Sequence, residues 1–262
     1  MDKALQIAAS GMQAQKLTID VIANNLANVN TTGYKRSRLE FQDLLYQNLK
    51  SAGESTGNDN RRPIGLQIGN GTRVVATQRS FQQGTITETG NALDIAIEGD
   101  GFLVVRMPDG SFAYTRDGAL KISADGLLVT SQGYILEPEI TIPEDTQQIV
   151  IRKDGEIEVT LYGETEPSIL GQLELARFIN PAGLEAMGEN LFRETVASGQ
   201  PFMGTAGQDG LGLIHQGFLE TSNVDVVKEM VEMIEAQRAY ELNSKTIKTS
   251  EDMLRTVTQL KR

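Results

Sequence analysis

Residues 21–36, VIANNLANVNTTGYKR, close a segment that the upstream spacing predicts to be a long helix. One apolar row recurs there every seven residues: Leu5, Met12, Ile19 and Leu26. A second row lies three residues further on and is interrupted by one glutamine: Ala8, Gln15, Ile22 and Val29. This spacing predicts a helix from about Lys3 to Asn30 with a narrow apolar stripe. Gly33 is the residue type that ends helices in the left-handed conformation, so we expect it to stop this one.

The other end of the chain carries a second helical pattern. Its apolar row follows strict heptads: Val226, Met233, Tyr240, Ile247 and Leu254. We expect Ser222 to cap this helix, Asp225 to lie in its first turn, and Lys261 and Arg262 to complement its C-terminal dipole. Two narrow apolar rows at opposite ends predict an antiparallel coiled coil that also packs against copies of itself.

The middle of the chain has the period of β-strands. Apolar residues alternate with polar or small ones from about Thr72 to Phe178. Short strand-like runs are separated by turn dipeptides, which are typical of tight hairpins: Asp109-Gly110, Asp117-Gly118, Asp125-Gly126, Gln132-Gly133 and Asp154-Gly155. We expect an α+β fold in which a compact all-β domain is inserted between the terminal helices.

The predicted organisation has five parts. Residues 1–45 hold the N-terminal helix and the start of a linker, and residues 46–92 form an extended or β linker that includes a loop-like stretch, Ser51–Asn60. Residues 93–188 form the all-β domain, residues 189–220 a return linker, and residues 221–262 the C-terminal helix.

Composition excludes several functions. The net charge of −11 and the absence of a dense Lys/Arg run argue against nucleic-acid binding. The chain has no cysteine, which excludes disulfides, thiolate metal sites and a cysteine nucleophile. It has no apolar run long enough to cross a membrane, and residues 1–6 show no continuous apolar stretch and no cleavage-like site of the kind found in signal peptides. We therefore expect a protein that is cytoplasmic or exported without a cleaved signal.

Two motifs resemble one known family. Ala23-Asn24-Asn25-Leu26-Ala27-Asn28-Val29 with Thr32-Gly33-Tyr34-Lys35 is similar to the N-terminal signature of bacterial flagellar basal-body rod and hook proteins. Glu220-Thr221-Ser222-Asn223-Val224 with Gln237-Arg238-Ala239-Tyr240-Glu241-Leu242-Asn243 is similar to their C-terminal signature. The signature positions carried over are Asn24, Asn25, Asn28, Gly33, Tyr34, Gln237, Arg238, Tyr240 and Asn243.

The resemblance implies a structural subunit of the rod in the periplasmic space, with no cofactor. Its implied partners are copies of itself, the proximal rod proteins, the hook protein, the surrounding ring proteins and the flagellar type III export apparatus. Phe41 and Leu45 match a short motif read at the export gate. Residues 46–71 resemble an insertion that marks the distal-rod branch of the family, which leaves a hook or proximal-rod member as the alternative.

The residues give little support to a metal site, an enzyme or a ligand-binding module. His215, the single histidine, lacks cysteine partners for zinc, and no Gly-x-Ser-x-Gly motif accompanies it. Asp94 with Glu98, or Glu137 with Glu139, could imitate the carboxylate pair of a peptidoglycan hydrolase, although paired acids in an acidic chain are mostly solvated. A ligand-binding module or adhesin is a further alternative, but the chain has few aromatic residues.

Overall fold

The structure is a computed structural model that describes residues 2–50, 63–163 and 166–260. The chain forms two compact units. Unit 1 is drawn from Met1–Leu26, Ser37–Gln78 and Asp225–Arg262, and unit 2 from Ala27–Arg36 and Arg79–Val224. The prediction of an α+β fold with terminal helices and a β-rich region between them is confirmed. Lys261 and Arg262, and the stretch Ser51–Asn60, lie outside the described residues.

Unit 1 contains two long helices and two strand pairs. Its elements are α1 (Asp2–Ala27), β1 (Ser37–Asp43), β2 (Gln47–Lys50), β3 (Leu66–Ile68), β4 (Thr72–Arg79) and α2 (Val226–Leu260). Strand β1 pairs with β4, and β2 pairs antiparallel with β3. Strands β2 and β3 both lie within the 46–71 stretch, of which residues 46–50 and 63–71 are described.

The ends of both helices differ from the sequence expectation. Helix α1 ends at Ala27, three residues before Asn30, and turns follow, so Gly33 does not stop it. Asp225, not Ser222, caps α2, because its Oδ1 accepts hydrogen bonds from the backbone N–H groups of Val227 (2.9 Å) and Lys228 (3.2 Å). Ser222 Oγ instead accepts from the Val224 N–H at 3.3 Å.

Unit 2 is built from strands. They are β5 (Ile86–Glu88), β6 (Ile95–Glu98), β7 (Phe102–Arg106), β8 (Phe112–Thr115), β9 (Lys121–Ile122), β10 (Leu128–Val129), β11 (Ile135–Glu137), β12 (Thr146–Ile151), β13 (Glu156–Leu161), β14 (Ser168–Gln172), β15 (Glu174–Arg177), β16 (Glu185–Gly188), β17 (Leu191–Arg193), β18 (Phe202–Thr205), β19 (Leu213–Gln216) and β20 (Phe218–Glu220), with a 3-10 turn at Pro181–Gly183.

The largest sheet of unit 2 has nine strands. Its main path runs β16-β17-β8-β7-β11-β10-β9, and β15 joins β7 to β18. Strands β12, β13 and β14 form a separate three-stranded sheet, while β19 pairs with β6 and β20 with β5.

Strand β7 lies in the interior of unit 2, since a hydrophobic cluster covers each of its two faces. Leu103 and Val105 belong to the main core cluster, and Phe102 and Val104 to a second, aromatic cluster. In the aromatic cluster, rings pack edge to face, as with Tyr114 and Phe178, whose centroids are 4.8 Å apart. Burial of both faces explains why this strand reads as a continuous apolar run instead of alternating.

Four of the five predicted turns are confirmed as hairpins. Asp109-Gly110 joins β7 to β8, Asp125-Gly126 joins β9 to β10, Gln132-Gly133 joins β10 to β11, and Asp154-Gly155 joins β12 to β13. The prediction for Asp117-Gly118 is wrong, because it does not join paired strands. A Cβ at Gly118 would lie 1.8 Å from the carbonyl oxygen of Ile95, so this glycine permits a close backbone approach.

Candidate functional site

Three charged side chains meet in the interior of unit 2. Lys35, Arg116 and Glu220 are at most 2% exposed at their side chains. Glu220 Oε1 accepts from Lys35 Nζ at 2.6 Å, and Glu220 Oε2 accepts from Arg116 Nη1 at 3.2 Å. The three side chains are called the charged triad below.

Backbone groups complete the triad. Lys35 Nζ also donates to the carbonyl of Gln82 (2.9 Å), and the Gly84 N–H donates to Glu220 Oε1 (2.8 Å). Arg116 Nη2 donates to the carbonyl of Gly99 at 2.7 Å. These bonds replace water around charges that would otherwise be costly to bury.

Burial is the largest cause of the pKa shifts of both Lys35 and Arg116. Desolvation lowers the pKa of Lys35, and the carboxylate of Glu220 opposes that shift. Desolvation likewise lowers the pKa of Arg116, against the attraction of Glu220 and Asp100. The carboxylate of Glu220 therefore offsets part of the cost of burying both cations.

The triad brings together the two sequence signatures. Lys35 belongs to the N-terminal motif and Glu220 to the C-terminal motif, 185 residues apart. The Gly33 N–H donates to the carbonyl of Glu220 (2.9 Å), and the Arg36 N–H donates to Asn223 Oδ1 (2.7 Å). Gly33 has φ +66°, and a Cβ there would lie 2.7 Å from the backbone nitrogen of Asp117. The requirement for glycine therefore comes from this junction within unit 2.

In unit 1 a second polar contact joins the terminal helices. Asn25 is buried, and its Nδ2 donates to Glu229 Oε2 at 3.0 Å and to the carbonyl of Ser37 at 2.8 Å. Asn25 Oδ1 accepts from the Ser37 N–H at 3.0 Å. Both functions of the amide are used, which a charged or apolar side chain could not reproduce.

A contact between Gly11 of α1 and Asn243 of α2 shows the direction of the helix pair. A Cβ at Gly11 would lie 2.9 Å from Asn243 Nδ2. Fourteen residues separate Gly11 from Asn25 on α1, and fourteen separate Glu229 from Asn243 on α2. The helices therefore run antiparallel in one register across both contacts. Glu229 and Asn243 belong to a row on α2 that recurs every seven residues and carries small or polar side chains that are buried or half-buried: Glu229, Ala236, Asn243 and Ser250.

The predicted apolar rows lie beside this contact. On α1, Ile22 is buried, while Leu5, Met12, Ile19 and Leu26 are half-buried. On α2, Met233, Ile247 and Leu254 are half-buried, while Val226 and Tyr240 are exposed. Further large apolar side chains on α2 are exposed in unit 1: Val227, Met230, Val231 and Ile234.

The remaining predicted residues take different positions. Gly33 and Tyr34 are buried, and Asn28 and Asn243 are half-buried. Asn24, Gln237 and Arg238 are exposed. Phe41, near the end of β1, and Leu45, just beyond it, are both exposed.

Comparisons with known proteins agree with this arrangement. Three family models match the chain: "Flagella basal body rod protein" at residues 5–35, "Flagellar hook protein FlgE/F/G D1 domain" at residues 96–159, and "Flagellar basal body rod FlgEFG protein C-terminal" at residues 215–260.

Full-length relatives share about half of their residues with it. The flagellar basal-body rod protein FlgG of Borreliella burgdorferi is 53% identical over 100% of both chains. FlgG of Buchnera aphidicola subsp. Schizaphis graminum is 48% identical over 99% of this chain and 100% of its own, and FlgG of Caulobacter vibrioides is 47% identical over 99% of each. The chain belongs to the FlgG family of flagellar basal-body rod proteins.

FlgG-family membership settles the enzymatic question, because the flagellar rod proteins are structural proteins and not enzymes. The acids considered for catalysis have other partners in the structure. Asp94 accepts hydrogen bonds from Thr89 and Asn91, and Glu98 pairs with His215 Nε2 at 2.6 Å. Glu137 and Glu139 both face Arg106.

The described residues of this FlgG-family chain lack two further features. None of its described helices is both long and apolar enough to cross a membrane. The same residues contain no group of three or more His, Cys, Asp or Glu side chains placed to hold a metal ion.

The charged triad was not proposed from the sequence. Lys35 and Glu220 lie within the FlgG-family signatures, so their opposite charges were a usable signal. No sequence signal pointed to Arg116, since it lies outside both signatures and 104 residues from Glu220.

Proposed function

We propose that this chain is a structural subunit of the distal flagellar rod, which polymerises helically into the rigid hollow shaft that carries torque from the motor to the hook. FlgG-family membership over the full length supports the rod assignment. The observation that carries polymerisation is the exposed apolar surface of α2, where Val227 is 71% exposed and Met230, Val231 and Ile234 about half. Apolar surface of this kind is costly in water and marks a protein contact.

In this proposal the terminal helices form an antiparallel coiled coil. Small and polar residues hold the pair together at Asn25–Glu229 and Gly11–Asn243. The apolar rows are left half-covered, and neighbouring subunits complete their burial. The seam that we assign to these subunit contacts is Leu5, Met12, Ile19, Ile22, Leu26, Val226, Met233, Tyr240, Ile247 and Leu254.

The other segments have mechanical and assembly roles in the same proposal. The all-β region, residues 93–188, sets the radius of the rod. The insertion at residues 46–71 bridges neighbouring subunits and stiffens the rod. Phe41 and Leu45 are accessible for reading by the type III export apparatus. The partners are further copies, proximal rod proteins, the hook protein and the surrounding rings.

Deletion of the gene tests the rod assignment. We expect isolated basal bodies from the null strain to show short rods without hooks by electron microscopy. Cells that carry only the 46–71 deletion should form curved or bent rods, because the bridge that stiffens the shaft is missing. Complete rods with hooks in the null strain would refute the proposal.

Substitutions at the seam test its chemistry. Met12→Asp and Tyr240→Asp should each abolish rod assembly in complemented null cells, since each places a charge in a contact that assembly would dehydrate. The matched controls Met12→Leu and Tyr240→Phe keep the apolar character and should assemble. Normal assembly of both Asp variants would show that these rows are not the subunit contact. Circular dichroism of the purified variants should still report the β-sheet of unit 2.

A further inference from the structure

Two fully exposed aliphatic side chains lie on unit 2, in two loops that a hydrogen bond joins. They are Ile179, just after β15, and Val196, in the loop after β17. Their loops are tied together, because Asn180 Nδ2 donates to the carbonyl of Ala197 at 3.0 Å. This pair, Ile179 and Val196, is called the knob.

Hydrogen bonds and close packing hold the two loops that carry the knob. Thr195 Oγ1 donates to the carbonyl of Gly183 at 2.6 Å, and the Thr195 N–H donates to Ser198 Oγ at 2.9 Å. Ser198 is buried, and a Cβ at Gly183 would lie 2.7 Å from the Ser198 nitrogen. Two loops packed this closely hold the exposed side chains in fixed positions, so binding to them costs little ordering entropy.

A groove elsewhere on unit 2 has the complementary character. It has a volume of about 750 Å³. Its apolar lining comes from β9 and the turn after it, from the segment that leads into β12, and from β12 itself: Ile122, Ala124, Ile142, Pro143, Ile149 and Val150. Ile122 and Val150 are exposed, so part of this lining still faces water. No residue of the knob contributes to the groove.

The charges beside the two surfaces are opposite. Arg177 is exposed and lies two residues before Ile179, on the same side of an extended segment. Asp125, Glu144 and Asp145 lie at the rim of the groove or next to its lining residues and are exposed. Within the described part of the chain, none of these four side chains takes part in an ion pair. Arg177 lies over the ring of Phe202, 5.9 Å from its centroid, and this contact leaves its charge without a carboxylate counterpart. The basic and acidic side chains can therefore attract each other between molecules.

We propose that the knob of one subunit inserts into the groove of a neighbouring copy. The inference rests on the proposed polymer, because it takes a second copy of this chain as the partner. Knob and groove are different surfaces, so the contact is heterologous and leaves a free knob at one end and a free groove at the other. Such a contact propagates into an open array, as a helical rod requires, instead of closing into a two-fold dimer.

The cysteine-free chain permits a direct test. Val196→Cys marks the knob and Val150→Cys marks the groove. Both are introduced into one full-length chain that replaces the native copy in cells, and isolated basal bodies are treated with a short bismaleimide. Denaturing gels of the double variant should show a ladder of covalent multimers, because each subunit links to two neighbours. Either single variant should stay monomeric.

A matched control uses Ile169, which is exposed on β14 but does not line the groove. Val196→Cys with Ile169→Cys should give no ladder. If the double variant fails to build rods, the two single variants are produced together, and a covalent dimer of one chain of each kind is then expected.

Two outcomes would overturn the knob contact and leave the proposed function standing. One is intact rods of the Val196→Cys, Val150→Cys variant, or of the two single variants produced together, without intersubunit cross-links. The other is cross-linking of Val196→Cys to a different basal-body protein. Failure of the proposed function itself would appear separately, as complete rods in cells that lack the chain.

Discussion

Glu220 is the residue on which the interior of unit 2 depends. It neutralises one of two buried cations and accepts a backbone N–H as well. Removing a charged group from water costs several kcal/mol, so Lys35 and Arg116 are tolerated only with this carboxylate between them. The sequence motifs contain Lys35 and Glu220, so two members could have been found from opposite charges. Arg116 could not, because its place depends on the folding of a distant strand pair.

Loss of the Glu220 charge should destabilise unit 2. Glu220→Gln keeps the shape but removes the carboxylate that both buried cations contact, and we expect the free energy of unfolding to fall by about 3–5 kcal/mol. Glu139→Gln is the matched control, since Glu139 pairs with Arg106 at the surface and its loss should cost at most about 1 kcal/mol. Urea denaturation followed by circular dichroism measures both values. Equal, small changes for the two variants would show that the triad does not stabilise the fold.

At the level of elements, the sequence predicted local turns but not the close contacts between segments that are distant in sequence. Gly110 follows Asp109 in a hairpin turn and has φ +82°. The Asp-Gly dipeptide alone is enough to predict such a turn. Gly118 follows Asp117 in the same dipeptide, yet its role is set by Ile95, more than twenty residues away. The helices show the same division. Heptad spacing predicted two long helices, but it did not predict that Glu229 and Asn243 of α2 face α1, because that depends on the register between the two helices.

The two glycines should respond differently to the same substitution. Gly118→Ala places a methyl group against the backbone of Ile95, which cannot move aside without shifting β6, so we expect a loss of about 3 kcal/mol or more. Gly110→Ala meets no atom within 4 Å and should cost only the left-handed backbone penalty, about 1–2 kcal/mol. Thermal or urea unfolding of the purified chain measures both. A larger loss at Gly110 would contradict the close approach at Gly118.

Across the whole molecule, hydrophobic burial is divided unequally between the units. Both described core clusters lie in unit 2. The described hydrophobic residues buried in unit 1 are three alanines and one isoleucine: Ala8, Ala14, Ile22 and Ala236. A single large aliphatic side chain stabilises by only about 1.5–3 kcal/mol, which is little to hold two long helices in order. The heptad spacing of the sequence predicted the two helices, but how much apolar surface each unit buries is visible only in the folded chain.

Hydrogen exchange on the purified monomer should therefore separate the two units. At low protein concentration we expect fast exchange of the amides of Leu5–Leu26 and slow exchange in strands β7 and β8, because only the strands are held by a large core. In assembled rods the helical amides should become protected as well, since neighbouring subunits bury the apolar rows. Mass spectrometry of peptides from both regions, over a dilution series, provides the measurement. Strong protection of Leu5–Leu26 that does not change with dilution would mean that the helix pair is stable alone, and that assembly does not supply the missing burial.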